Sequence, residues 1–354
     1  MAVPGPGAVV EHFVTHGQAV REAAHQAGHQ GPTIEIELNR DLSDAQRAEM
    51  YGPALALWKS DRPEDLRKSL FETAITSRTR TLGDAASGLE EATAAGAEGT
   101  VANFSISRSQ AWTVNNLLSR MRPQDPNDPA SVAEARAERA KFAKAFGVSD
   151  QDLSSEDPAV QGPARQQMFQ GVVDLVASTE SDTRFQSARS RYDQAVESFE
   201  AGGNSVVVAA GNDGGVRPFW EQAAHGLPLN VPADFARNDL SSTAATTVGA
   251  TRVWEGKDYP AEYSSNSSEV DVYASGYLRA PGAKQDEEGS SYASPRVAAG
   301  MAALHKQFAH LSSSQVEGLM HDRLTTTLSD YYGSQPAPAL DLDGTRRFLQ
   351  GQTF

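Results

Sequence analysis

An α/β fold, with a mainly parallel central sheet flanked by helices, is what this sequence predicts. Three observations carry that reading. Short apolar runs rich in β-branched residues, of which Ser205-Val206-Val207-Val208-Ala209-Ala210 is the clearest, alternate with helical stretches along the chain. That order builds parallel strands joined by crossover helices. The 354 residues are 39% apolar and 22% charged, enough to bury a sizeable core, and no internal repeat divides them.

Each element has its own signal. Val9 to Phe13 reads as a short strand behind a Pro/Gly leader, and Thr15 as the N-cap of a helix over Gly17 to Ala27. Pro32-Thr33-Ile34-Glu35-Ile36-Glu37-Leu38 alternates with period two, as a strand with one polar face does. From Asp44 to about Ala95 the pattern is helical, interrupted at Pro53 and Pro63. Thr100 to Ser107 reads as a second strand. The turn-rich run Arg122-Pro123-Gln124-Asp125-Pro126-Asn127-Asp128-Pro129 breaks the helical stretch that follows. Ser131-Val132-Ala133-Glu134 reads as a capping box opening a charged helix to Phe146. A further helical run ends at Gly202-Gly203. After the Ser205 strand come strands around Ala244–Val253 and Val270–Ala274, a helix beginning near Ser290, and one opened by Ser314-Gln315-Val316-Glu317.

Composition narrows the function. A net charge of −15 argues against nucleic acid or an anionic membrane surface as a main partner. No stretch is long and apolar enough to span a bilayer. With no cysteine there is neither a disulfide framework nor a thiolate metal site. The leader Met1 to Gly7 lacks the basic and apolar regions of a secretory signal, which favours a cytoplasmic protein. A processed form of a secreted one reads the same. There is no His-Glu-x-x-His run for metal hydrolysis and no phosphate-binding loop. Around Ser291 the order Gly289-Ser290-Ser291-Tyr292-Ala293 fails the Gly-x-Ser-x-Gly elbow of the lipases at its last position.

The richest segment is Gly289-Ser290-Ser291-Tyr292-Ala293-Ser294-Pro295, followed by Arg296-Val297-Ala298-Ala299-Gly300. A serine in the first turn of a helix sits where free N–H groups and the positive dipole end favour developing negative charge. Small residues after it let that helix pack closely, and Pro295 suits a first turn. A second segment, Asn204 to Gly214, is a buried strand ending in Ala209-Ala210-Gly211-Asn212. A third, Thr15-His16-Gly17-Gln18-Ala19-Val20, places a histidine at a helix start, where its ordinary pKa of about 6.5 suits proton transfer near neutrality.

These segments resemble the subtilisin-like serine proteases. The match is to that family's Gly-Thr/Ser-Ser-x-Ala-Ser-Pro nucleophile run, its Ala-Ala-Gly-Asn strand end and its His-Gly-Thr-x-Val helix start. The resemblance implies one three-layer subtilisin-like peptidase domain over residues 1–354. Arg108 to Ser181, longer than the family's usual link, then reads as a helical insertion at about 108–181, a solvated decoration or a site for a partner. It also implies endopeptidase hydrolysis of peptide or protein substrates through an acyl-enzyme. Ser291 is the nucleophile, His16 the general base and Asn212 the oxyanion donor. The family's orienting Asp has no counterpart before His16. The only acid there is Glu11, at the end of Val9-Val10-Glu11, and it takes that role in this reading. Val101 to Ser107 resembles the strand that pairs with an extended substrate, which assigns Ser105, Ile106 and Ser107, with Ala210 and Gly211, to substrate binding. Ser107 replaces the usual Gly and narrows the pocket. Gln18, Ala19 and Arg296 also depart from the family pattern. No cofactor is required. The family's calcium sites lie in loops with no match here, so calcium stays open. A catalytically inactive member of this fold, acting as a binding or scaffold protein, is the alternative, and the missing Asp motivates it. Retention of Ser291, His16 and Asn212 together argues against it.

Overall fold

The structure, a computed structural model, describes residues 16–28, 43–265, 270–279, 286–328 and 338–341. The strands read at Val9–Phe13 and Pro32–Leu38, and Glu11 with them, lie outside those residues. Along the chain, α1 (His16–Gln26), α2 (Asp44–Trp58) and α3 (Pro63–Ala94) precede β1 (Val101–Phe104). Then come α4 (Gln110–Ser119), α5 (Pro129–Ala145), the single turn α6 (Asp150–Leu153), α7 (Pro158–Ser178) and α8 (Thr183–Ala201). The sheet resumes with β2 (Ser205–Ala209), crosses α9 (Val216–Ala223), and continues through β3 (Thr246–Trp254), β4 (Lys257–Pro260) and β5 (Val272–Ser275). A small hairpin, β6 (Tyr277–Leu278) with β7 (Glu287–Glu288), leads into α10 (Ser290–Gln307) and α11 (Ser313–Leu324), and β8 (Thr325–Thr327) and β9 (Pro338–Leu340) close the order.

Among the described residues the main sheet runs β1-β2-β3-β5-β9-β8, with β4 paired to β3. The β1/β2, β2/β3, β3/β5 and β5/β9 pairs are parallel, and only β3/β4 and β8/β9 are antiparallel. Helices cover both faces. Strand alternation sorts the side chains of β2 between them. Val207, with Val248, Ala250 and Val272, packs under Ala293, Val297, Met301 and Leu304 of α10 and Val316 and Met320 of α11. Val206 and Val208 face the other way, into Leu82, Ala85 and Leu89 of α3 and Tyr192, Val196 and Phe199 of α8. A further core holds Trp58, Leu66, Leu70, Leu117, Phe142, Met168, Val172 and Trp220, and no strand residue belongs to it. Residues 110–178 thus pack as helices with α2, α9 and the start of α3 around an apolar centre apart from the sheet, joined to the sheet layer by α3, which runs through both cores.

Five local expectations change. Pro53 lies inside α2 rather than interrupting it: Trp58 buries its ring beyond it, and Ser69 Oγ of α3 donates to the Ala54 carbonyl at 2.6 Å, so packing along α3 outweighs the lost backbone bond. The helix to Phe146 starts at Asp128, not Ser131. The Asp128 carboxylate accepts from the N–H groups of Ala130 and Ser131, and Pro129 presets the first turn. The last helix is capped by a Ser312–Gln315 box, two residues before the predicted one. Pro295 sits in the second turn of α10 rather than the first, which leaves the carbonyl of Ser291 without its i+4 donor. The strand read over Thr100–Ser107 pairs only as far as Phe104.

Candidate active site

Everything at the site is built where β2 ends. In an open parallel sheet the carboxyl ends of the strands are where loops and helix N-termini converge. Beyond Ala209 the chain turns at Gly211, whose φ of +107° excludes ordinary side chains. A Cβ there would also lie 2.5 Å from Ser107 Oγ. The turn delivers Asn212 to an exposed position facing the start of α10.

Two hydrogen bonds lock that meeting. The Gly211 N–H donates to Ser290 Oγ at 3.0 Å, and the Ser290 N–H donates to Asn212 Oδ1 at 2.8 Å. With its carbonyl engaged, Asn212 turns its Nδ2 amide toward Gly289. A Cβ built on Gly289 would lie 3.1 Å from Ser291 Oγ and 3.2 Å from Asn212 Nδ2. The Ser291 hydroxyl and the Asn212 amide thus border the same small space in front of Gly289, which a side chain at 289 would enter. Ser291 keeps 8% exposure whereas Ser290 has 1%, so of the two serines Ser291 is the reachable one. As second residue of α10 its N–H has no intrahelical acceptor.

The segment 105–107 comes to the same place. Ser105 Oγ lies 3.0 Å from Ser294 Oγ, one turn along α10 from Ser291, and accepts from Asn103 Nδ2 at 2.7 Å. Ile106 is half-buried against the α3/α8 core. Ser107 abuts Gly211, while Ala210 and Gly211 are buried. Asp213, next to Asn212, accepts from Ser109 Oγ at 2.6 Å; burial raises its carboxyl above the ordinary value, and the hydroxyls of Ser109 and Ser107 oppose that rise. Asn212 also walls a hollow of about 460 Å³ with Asn115, Arg122, Phe219, Glu262 and Tyr263. There the Arg122 guanidinium stands 5.1 Å from the Phe219 ring centre.

His16 opens α1, one helical turn before Ala19. That helix buries Ala19 and Ala23 against Tyr292 and Leu278, so it lies against α10 beside the residue that follows Ser291. Glu11 is outside the described residues. A different serine–histidine contact, Ser205 Oγ to His305 Nε2 at 2.8 Å, stands at the opposite end of β2. Those residues are 0% and 2% exposed, and burial lowers the imidazole pKa, so this pair is a core contact out of reach of any substrate. Among the described residues no group of three or more His, Asp or Glu side chains could hold a metal ion, and no helix is long and apolar enough to cross a membrane. Sequence reading passed over two supports of the site. Ser290 was visible only as a neighbour of the nucleophile. Asn238 sits in an irregular loop that carries no motif.

Comparisons with known proteins bear on this arrangement. A model described as the subtilase family matches residues 131–338, more than half of the chain. Asn212 and Ser291 fall inside the match; His16 and Glu11 fall before it. No curated protein matches. Among solved structures, the epidermin leader peptide processing serine protease EpiP of Staphylococcus aureus is 17% identical, with a TM-score of 0.34 over 46% of this chain and 44% of its own. Fervidolysin of Fervidobacterium pennivorans, a keratinolytic enzyme related to subtilisin, is 19% identical, with a TM-score of 0.32 over 46% of this chain and 24% of its own. A cold adapted subtilisin-like serine proteinase is 22% identical, with a TM-score of 0.31 over 49% and 60%. The chain thus spans less than two thirds of each of these structures.

Proposed function

The chain belongs to the subtilase family, and from that premise we propose that it is a serine peptidase that cleaves peptide bonds through an acyl-enzyme. One observation carries the reading: the Ser291 hydroxyl and the Asn212 amide border one small space in front of Gly289, kept open by the absence of a side chain there. A carbonyl carbon attacked by the hydroxyl and an oxygen held by the amide need such a place.

In this reading Ser291 Oγ adds to the scissile carbonyl and its proton passes to His16. The carbonyl oxygen becomes an oxyanion held by the Asn212 amide and the Ser291 N–H. Collapse of the tetrahedral adduct expels the amine, which takes the proton from His16 and leaves the acyl group on Ser291. Water then attacks the ester by the same route, and free Ser291 returns. Glu11 orients the imidazole and stabilises its charged form. Substrate backbone lies along 105–107, and the hollow beside Asn212 takes a side chain next to the scissile bond. No step needs a cofactor.

A fluorophosphonate probe tests this, because it labels only an activated serine. The parent chain is expected to label and Ser291→Ala to stay unlabelled. A folded parent that fails to label would favour the second reading, a binding or scaffold protein on an inactive subtilase fold. The observation behind that reading is that the family match begins after both His16 and Glu11.

A further inference from the structure

We propose that Asn238 is a positioning residue that holds the substrate-pairing segment 105–108 in register with the Asn212 turn. The inference rests on the peptidase reading above and adds to it a residue that no motif indicates.

The need for such a residue comes from where the sheet stops. Pairing between β1 and β2 ends at Phe104 and Val208. Past that point 105–108 has no strand on its inner side, because β2 gives way to the turn at Gly211. Asn238, from the loop between α9 and β3, fills the gap with its side chain. Its Nδ2 donates to the Ile106 carbonyl at 2.9 Å and to the Ala209 carbonyl at 2.7 Å. Its Oδ1 accepts from the Arg108 N–H at 3.0 Å and from the Leu240 N–H at 3.2 Å. A carboxamide has two donor hydrogens and two acceptor lone pairs, and all four are used by a side chain only 1% exposed. The neighbouring Asp239 N–H adds a bond to the Arg108 carbonyl at 2.5 Å.

The pattern of partners is the informative part. Asn238 takes hold of Ile106 and Arg108, two residues apart, which is the alternation that a neighbouring strand imposes. The amide of Asn238 stands in for the peptide group β2 no longer supplies. By the same alternation the opposite edge of 105–107 is the side on which an extended substrate adds by β-augmentation. Because the same Nδ2 also grips Ala209, one side chain fixes the spacing between that edge and the oxyanion amide three residues further on.

The loop is itself anchored. Arg78 of α3 holds the Asp239 carboxylate through two bonds, Nε to Oδ2 at 2.7 Å and Nη2 to Oδ1 at 2.5 Å. Arg78 Nη1 also donates to Thr179 Oγ1 at 2.6 Å. Asn238 therefore transmits a position set by the helical layer.

The test compares two substrates that differ in reach. One is an extended tetrapeptide anilide, which lies along 105–107; the other is a small acyl ester, which meets only Ser291 and Asn212. Asn238→Asp keeps the shape but replaces two donors by acceptors facing the Ile106 and Ala209 carbonyls. The ratio of kcat/KM for the long substrate over the short one is expected to drop about tenfold or more, the size of one buried hydrogen bond or a little above. Asn238→Ser, neutral and able to reach one carbonyl, should fall between, and circular dichroism confirms the fold of each variant. A merely structural role would lower both substrates by one common factor, and that outcome, or an unchanged ratio, overturns the proposal. If the parent cleaves neither substrate, the peptidase reading fails first and this inference with it, before any Asn238 variant is compared.

Discussion

Gly289 carries no side chain, yet its backbone gives no reason for that. Its φ of 170° and ψ of 152° are extended values that any residue adopts. The reason is the space in front of it, which a Cβ would share with Ser291 Oγ and Asn212 Nδ2. Gly289→Ala is therefore expected to leave thermal stability almost unchanged while slowing fluorophosphonate labelling by about 10²-fold, the scale on which loss of an oxyanion donor acts in proteases of this family. Unchanged labelling would show that the reacting atoms lie elsewhere. Gly211→Ala should behave oppositely, unfolding the turn, since its φ of +107° and the 2.5 Å approach to Ser107 both forbid the methyl. At this scale the sequence was legible where a small residue is forced by a close approach, as around Ser291. It was silent on Asn238, because an amide in an irregular loop looks like any turn former until its partners are known.

Elements were easier to read than their ends. β2 and α10 announced themselves through runs of β-branched and small residues. Their neighbours misled where two local signals competed: Asp128 with Pro129 outcompeted Ser131 as a cap, and tertiary packing carried α2 through Pro53. The elements also carry charge at buried junctions that periodicity does not reveal. At the start of β2, Ser205 meets His305 of α10 and Ser313 of α11, and Glu200 at the end of α8 lies beside the Ser313 hydroxyl, the Val206 N–H and the Glu317 carboxylate. Burial pushes Glu200 up to about 7 from an ordinary 4.5, with Glu317 adding to the rise. Between those values the folded chain keeps a proton that the unfolded chain has released. Stability from this group is thus fullest below about 4.5 and declines as pH rises to about 7. His305, lowered by burial, acts in the other direction and costs stability on the acid side. Glu200→Gln is expected to remove the alkaline loss, raising stability at pH 8 relative to pH 5 by on the order of 1 kcal/mol, since partial solvent access weakens the effect. Thermal melts at the two pH values check it, and equal gains at both would dismiss the assignment.

Among the described residues, a sheet layer and a helical layer pack together and share a buried ion pair. Alternating strands and helices made the sheet layer legible, and the helical character of 110–178 was legible too. That those helices share a second core with α2, α3 and α9, and that Arg78 of α3 ties the sheet-side loop at Asp239 to Thr179 and Glu180, was not, since residues 161 apart in sequence give no local signal. Burial pushes the Asp239 carboxyl above its ordinary value, and the Arg78 guanidinium opposes that. Removing one partner strands the other charge, so Arg78→Met or Asp239→Asn should each cost about 3–5 kcal/mol in urea unfolding, and the double change Arg78→Met with Asp239→Leu should recover much of it. Additive losses would show that the pair is not coupled. Distance along the chain matters for the site as well. The amide that follows β2 and the hydroxyl that opens α10 are divided by β3, β4 and β5, and the sheet must join them by parallel pairings, which close slowly. On the ribosome the amide is translated long before the hydroxyl exists. In the peptidase reading a growing chain therefore carries its oxyanion donor well before its nucleophile, and hydrolysis waits on the synthesis of Ser291 and the pairings that bring it to Asn212.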